Sequence, residues 1–147
     1  MSYVHKIGLA FLAALIISMV SIPALSEENY SVKLAADKFL GDYLVNQSGF
    51  TLYYFSDDRE ANGASSSYDD CASIWRPFFA GDIIVPNTLS SADFSTITRS
   101  DGSSQTTFKG WPLYLYSRDR EAGDAFGDGR EDGLWHVIIP LEQPQLI

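Results

Sequence analysis

One ten-residue block occurs twice in this chain, 61 places apart. Leu52-Tyr53-Tyr54-Phe55-Ser56-Asp57-Asp58-Arg59-Glu60-Ala61 is followed by Leu113-Tyr114-Leu115-Tyr116-Ser117-Arg118-Asp119-Arg120-Glu121-Ala122, with seven of the ten positions identical. Gly49 falls on Gly110 at the same offset, and Trp75 falls within one residue of Trp135. Each block reads as a Tyr-x-aromatic strand end followed by an Asp. A repeat this short cannot bury a core alone, so two halves must share one. Residues 27–147 therefore read as a single β-rich domain holding two motif repeats, at about 41–78 and 102–140.

The rest of that stretch is short runs of Tyr, Phe, Thr, Val and Ile between turn residues, which suits pleated, half-buried strands. Strands are predicted at 31–35, 42–45, 50–55, 83–85, 94–99, 105–108, 113–116 and 135–139. Asn46-Gln47-Ser48-Gly49 and Asp101-Gly102 mark hairpin loops, because Gly tolerates the positive φ of a tight turn. Two short helical turns are expected. One is Asp69 to Trp75, opened by carboxylates and stopped by Pro77; the other is Ala35 to Leu40 before Gly41. The predicted fold is all-β or nearly so, a compact antiparallel sandwich or partly closed barrel with two pseudo-repeated halves.

The N-terminus follows a different grammar. Lys6 precedes an apolar run from Ile7 to Val20, then Pro23-Ala24-Leu25-Ser26 and Glu27-Glu28. This is the pattern of a secretory signal peptide over residues 1–26, with an uncleaved anchor as the alternative. Without that leader, 121 of the 147 residues remain, carrying nine basic and nineteen acidic side chains, a formal charge of −10. Such a surface disfavours nucleic acid and anionic lipid, and no stable membrane span is expected after cleavage. Cys71 is the lone cysteine, so neither an internal disulfide nor a thiolate metal cage is available. It reads as a small buried residue.

Several blocks in order resemble the secreted or lipoprotein repeat family of unknown function, defined by a Tyr-x-(Phe/Trp/Tyr)-x-x-Asp motif. They are Leu40-Gly41-Asp42-Tyr43, Gly49-Phe50-Thr51-Leu52-Tyr53, Cys71-Ala72-Ser73-Ile74-Trp75-Arg76-Pro77 and Gln105-Thr106-Thr107-Phe108-Lys109-Gly110-Trp111-Pro112-Leu113-Tyr114. The resemblance implies an envelope or extracellular location and no known reaction. It departs at Ser67, where relatives often carry a cysteine, at Arg76, where a proline is usual, and in lacking a lipid-anchor cysteine.

Residues two apart on a strand share a face. Tyr53 and Phe55 thus lie together, opposite Leu52 and Tyr54, and Tyr114 and Tyr116 lie opposite Leu113 and Leu115. Apolar residues on both faces describe a central strand covered on both sides, with Asp58 and Asp119 accepting hydrogen bonds from turn amides. The functional alternative makes Tyr53, Phe55, Asp58, Tyr114, Tyr116 and Asp119 a binding platform for a polysaccharide or another cell-surface component. The Gly-rich acidic loop 123–133 offers Asp124, Asp128 and Asp132 as oxygen ligands for calcium, although its spacing is not that of an EF-hand and Arg130 sits among the acids. No other cofactor is implied. His136 is the single histidine after the leader, and no Gly-x-Ser-x-Gly elbow, paired-histidine zinc motif or phosphate loop occurs. The sequence thus reads as a non-enzymatic, exported binding or structural module. The alternatives are a calcium-stabilised surface protein and, less favoured, an Asp-dependent hydrolase. Two Asn-x-Ser sequons, at Asn29 and Asn46, mark candidate glycosylation sites.

Overall fold

A computed structural model describes residues 29–59, 62–67 and 69–146. The expected leader, residues 1–26, falls outside them, as does the Glu60-Ala61 end of the first repeated block. Among the described residues nine strands form three antiparallel sheets, none closed into a barrel, with two short α-helices between them. The expected all-β class is the observed one.

β1 (Val32–Asp37) and β2 (Gly41–Asn46) make a hairpin in full register from Val32–Asn46 to Asp37–Gly41. The helical turn expected at Ala35 to Leu40 is therefore absent. Asp37 Oδ1 accepts the amides of Phe39 (2.7 Å) and Leu40 (3.0 Å), which fastens a tight turn instead. Gly41 then takes the positive φ of 77° that returns the chain.

The central sheet contains β3 (Tyr53–Phe55), β4 (Trp75–Pro77), β8 (Tyr114–Tyr116) and β9 (Trp135–Val137), in the order β4-β8-β3-β9. Tyr53 lies directly opposite Tyr114, so the two repeated strands pair through their own equivalent residues. The outer strands are exchanged. β4 of the first repeat pairs with β8 of the second, Trp75 opposite Tyr116, while β9 pairs with β3, Trp135 opposite Phe55. The third sheet is β5 (Phe94–Thr98), β6 (Ser104–Phe108) and β7 (Trp111–Pro112). The predicted loop after Thr98 closes with Gly102 at φ 83°, and Lys109-Gly110, both at positive φ, turn β6 into β7.

Helix α1 (Asp70–Ile74) forms where predicted, but Pro77 does not stop it. The chain leaves the helix at Trp75 and continues into β4, with Pro77 inside that strand at the sheet edge, where a missing N–H costs no ladder bond. The strand expected at 83–85 is irregular. A single bracket holds it: the Ser31 amide donates to Ile84 O and the Ile84 amide to Ser31 Oγ, and Pro86 then removes the next donor. The second helix, α2 (Arg130–Gly133), lies in the acidic loop.

The predicted alternation holds across the central sheet. Leu52, Leu113, Tyr54 and Leu115 face one core with Val32, Leu44, Phe78, Phe94, Phe108 and Ile138. Tyr53, Tyr114, Tyr116 and Phe55 face a second, aromatic core with Tyr43, Trp75 and Trp135.

Candidate functional site

The repeated motif is joined crosswise. Tyr53, from the first copy, donates its phenol to Asp119 Oδ2 of the second at 2.6 Å. Tyr114 of the second copy donates to Asp58 Oδ2 of the first at 2.9 Å. Each Asp also fastens the loop after its own strand. Asp58 Oδ1 accepts the Ser66 amide (2.9 Å) and hydroxyl (2.6 Å), and Asp119 Oδ1 accepts the Phe126 amide (3.0 Å). The expected contact to turn amides is thus present, seven or eight residues downstream, and the tyrosine of the opposite copy completes it. Buried Arg99 backs the Tyr114–Asp58 pair, reaching Gln105 Oε1 at 2.8 Å, the Ser67 carbonyl at 2.5 Å and Ser65 Oγ.

Tyr53, Tyr114 and Asp58 are fully buried, and Tyr116 and Asp119 nearly so. Phe55 is half-buried beneath Trp135 at 4.5 Å. These six residues make a core rather than an open platform. Burial raises the carboxyls of Asp58 and Asp119 above their ordinary range, outweighing the hydrogen bonds that favour their charged forms. Burial likewise lifts the phenols of Tyr53 and Tyr114 far above theirs. A carboxyl raised on folding contributes stability fully below its unfolded value and loses it as pH rises through the folded value. The melting temperature is therefore expected to rise as pH falls from about 7 toward about 4. Asp37 and Asp101 are shifted down and act in the opposite sense, but only below that window. Thermal melts of the wild type and Asp119→Asn should differ in this slope, with the variant flatter.

A second symmetric feature lies beside the first. The indoles of Trp75 and Trp135 stack at 3.8 Å with planes 4° apart. One carboxylate bridges them: Trp75 Nε1 donates to Glu131 Oε1 (3.2 Å) and Trp135 Nε1 to Glu131 Oε2 (3.0 Å). Glu131 holds a left-handed backbone, φ 52°, to reach both. Gly127 passes directly over this layer, and a Cβ there would lie 2.7 Å from Trp75 and 2.8 Å from Tyr53. Gly127→Ala is expected to lose about 1 to 3 kcal/mol by overpacking, read as a lower urea midpoint.

The acidic loop is a connector built from separate contacts. Asp124 Oδ2 accepts the amides of Arg120 and Glu121, Asp128 Oδ1 accepts the Val137 amide at 3.0 Å, and Asp132 is exposed at φ 57°. The three carboxylates do not converge. Among the described residues no group of three or more His, Cys, Asp or Glu side chains is arranged to hold a metal ion. His136 directs Nε2 to the Gly133 carbonyl at 2.6 Å. Cys71 is half-buried, its thiol value raised by burial, and Ser67 Oγ hydrogen-bonds its sulfur. Ser67 thus occupies the place from which a second thiol would reach Cys71. Ser67→Cys is expected to crosslink to it on oxidation, adding about 2 kcal/mol by the loop-entropy estimate, measured as a thiol count and a higher urea midpoint.

The opposite edge of the central sheet carries what sequence reasoning missed. Tyr54, counted there as core, lies half-buried between Trp111 (4.9 Å between centroids) and His136 (5.5 Å). Two adjoining depressions, of about 340 and 300 Å³, meet over it. Tyr54, Gln143 and Pro144 line both; Ser56, Arg59 and Trp111 belong to the first, Asp128 and His136 to the second. The C-terminal segment forms the far wall. It is held by Lys109 Nζ on the Pro140 (2.8 Å) and Gln143 (3.1 Å) carbonyls, and by Trp111 Nε1 on the Pro144 carbonyl (3.0 Å). The only sequence signal for this wall was the Pro and Gln content after residue 139, which carries no motif.

A family model described as a secreted repeat of unknown function matches residues 35–78 and again residues 95–139. Both matches begin a few residues before the repeats read from periodicity. No curated protein and no solved structure matches the chain.

Proposed function

Because the chain belongs to the family of secreted repeats of unknown function, an extracytoplasmic family, we propose that it is a non-enzymatic binding or structural module of the cell envelope. What supports this reading is the fate of the repeated motif. Its two tyrosines and two aspartates, the residues most suggestive of chemistry, satisfy one another in the core. The duplication thereby serves to lock two half-units into one fold. Function falls to the loops and outer edges that this lock holds in place, as is general for rigid scaffolds. Among the described residues no helix is long and apolar enough to cross a membrane.

The direct test is retention of the purified exported protein on envelopes isolated from its own source. Saturable retention that survives washing supports the reading. Elution from every envelope fraction at low and moderate salt would sink it.

A further inference from the structure

Resting on the binding reading above, we propose that the double depression over Tyr54 is a subsite for a neutral polysaccharide, taking adjacent pyranose rings across the Tyr54–His136 edge of the central sheet. The two halves of the duplication are unequal at this place. On the face of β3 and β9 opposite Tyr53 the cross-strand pair is Tyr54–His136, while the corresponding pair on β8 and β4 is Leu115–Arg76. The aromatic-core face of the same strands keeps its aromatics in both halves. Tyr54 packs against the aliphatic core on one side, as Leu115 does, so the aromatic pair beside the edge strand β9 is a difference that core packing alone does not require.

The second observation is a buried amide with no partner. Gln143 is 6% exposed and lines both depressions, and among the described residues its Nε2 has no hydrogen-bond partner. A buried donor left unsatisfied costs about 1 to 3 kcal/mol, so a ligand acceptor at that point would recover a real penalty. Around Tyr54 stand a cation, Arg59, a carboxylate, Asp128, and a hydroxyl, Ser56. Burial and the nearby Asp128 keep the Tyr54 phenol protonated, as donor and acceptor both. The groove mixes both charge signs, Arg59 against Asp128 and Glu142. A strongly charged ligand would meet a repelling group, whereas a sugar ring offers an apolar C–H face to an aromatic and hydroxyls that both donate and accept. The chain's formal charge of −9 adds to the case against acidic polymers. The volumes match the lower end of small-ligand sites.

Affinity electrophoresis of the exported protein in gels cast with hydroxyethylcellulose, laminarin, xylan or dextran tests this. Retardation by at least one of the four is expected. Tyr54→Leu, which copies the residue already tolerated at position 115, should weaken that affinity about tenfold or more, and Gln143→Leu likewise. Arg76→Ala, at the equivalent place in the other half, should leave it unchanged. Thermal melts verify that each variant is folded. Should Tyr54→Leu not fold, NMR titration of the wild type with an oligosaccharide of the retarding polymer replaces it, with shifts expected at the Trp111 indole and Gln143 amide. Retardation by none of the four, equal retardation of a folded Tyr54→Leu, or shifts confined elsewhere would overturn the groove. Envelope retention in the same preparation separates the two claims: if it persists, the module reading stands without this site.

Discussion

Asp58→Ala is expected to destabilise the fold by about 3 to 5 kcal/mol, a large share of the whole stability of a domain this size. The wild-type carboxylate accepts three hydrogen bonds, from the Tyr114 phenol and from the amide and hydroxyl of Ser66. Removing it leaves the buried Tyr114 phenol with Ser65 Oγ as its remaining partner and strips two hydrogen bonds from the exposed Ser66, together costing about 1 to 3 kcal/mol. It also takes a compensating negative charge from the neighbourhood of the buried Arg99 guanidinium. Tyr114→Phe removes one donor only and should cost less, about 1 to 3 kcal/mol. The decisive measurement is a pair of double-mutant cycles by urea denaturation. Asp58 with Tyr114, from different copies, should couple by about 0.5 to 3 kcal/mol, while Asp58 with Tyr53, from the same copy, should be close to additive. Coupling within a copy, and none across, would show that the crosswise pairing is not what holds the domain.

That crosswise pairing marks the limit of what sequence reasoning reached. Strand alternation placed Tyr53, Phe55, Tyr114 and Tyr116 on one face and Leu52, Leu113, Tyr54 and Leu115 on the other, because a period of two is a local property. It also placed an Asp where loop amides are fastened. Which copy's tyrosine meets which copy's Asp depends on Tyr53 lying opposite Tyr114, a register set by long-range pairing that no local pattern encodes. The errors have the same origin. Ile83 to Val85 has strand-forming residues but no neighbour to ladder with before Pro86, and Ala35 to Leu40 has helix-forming residues captured by a hairpin. Propensity yields to tertiary pairing in both cases. The groove over Tyr54 was illegible for another reason. Gln143 belongs to a tail without periodicity, and its importance comes only from where Lys109 and Trp111 hold that tail. Tyr54 was assigned to the core by its strand parity, which is correct, yet beside the edge strand β9 one side of it opens into the depressions.

Trp135→Ala should rival Asp58→Ala, at about 3 to 5 kcal/mol. The indole has no exposed surface, and it stacks on Trp75 at 3.8 Å, covers Phe55 at 4.5 Å and meets the edge of Tyr114 at 5.0 Å. Its removal opens a cavity at the junction of the two repeats, bounded by strands that pair across the copies and cannot close in independently. It also takes one of the two indole N–H donors from the Glu131 carboxylate, which then keeps only the Trp75 indole. Two comparisons separate these contributions. Trp135→Phe keeps an aromatic ring but no donor, so it should recover most of the packing and none of the hydrogen bond, leaving a deficit of about 1 to 2 kcal/mol. Glu131→Gln retains one acceptor oxygen and should fall between that variant and wild type. If urea midpoints show Trp135→Phe as damaging as Trp135→Ala, the bridge to Glu131, rather than the stacked rings, joins the halves, and Glu131→Ala should then match both.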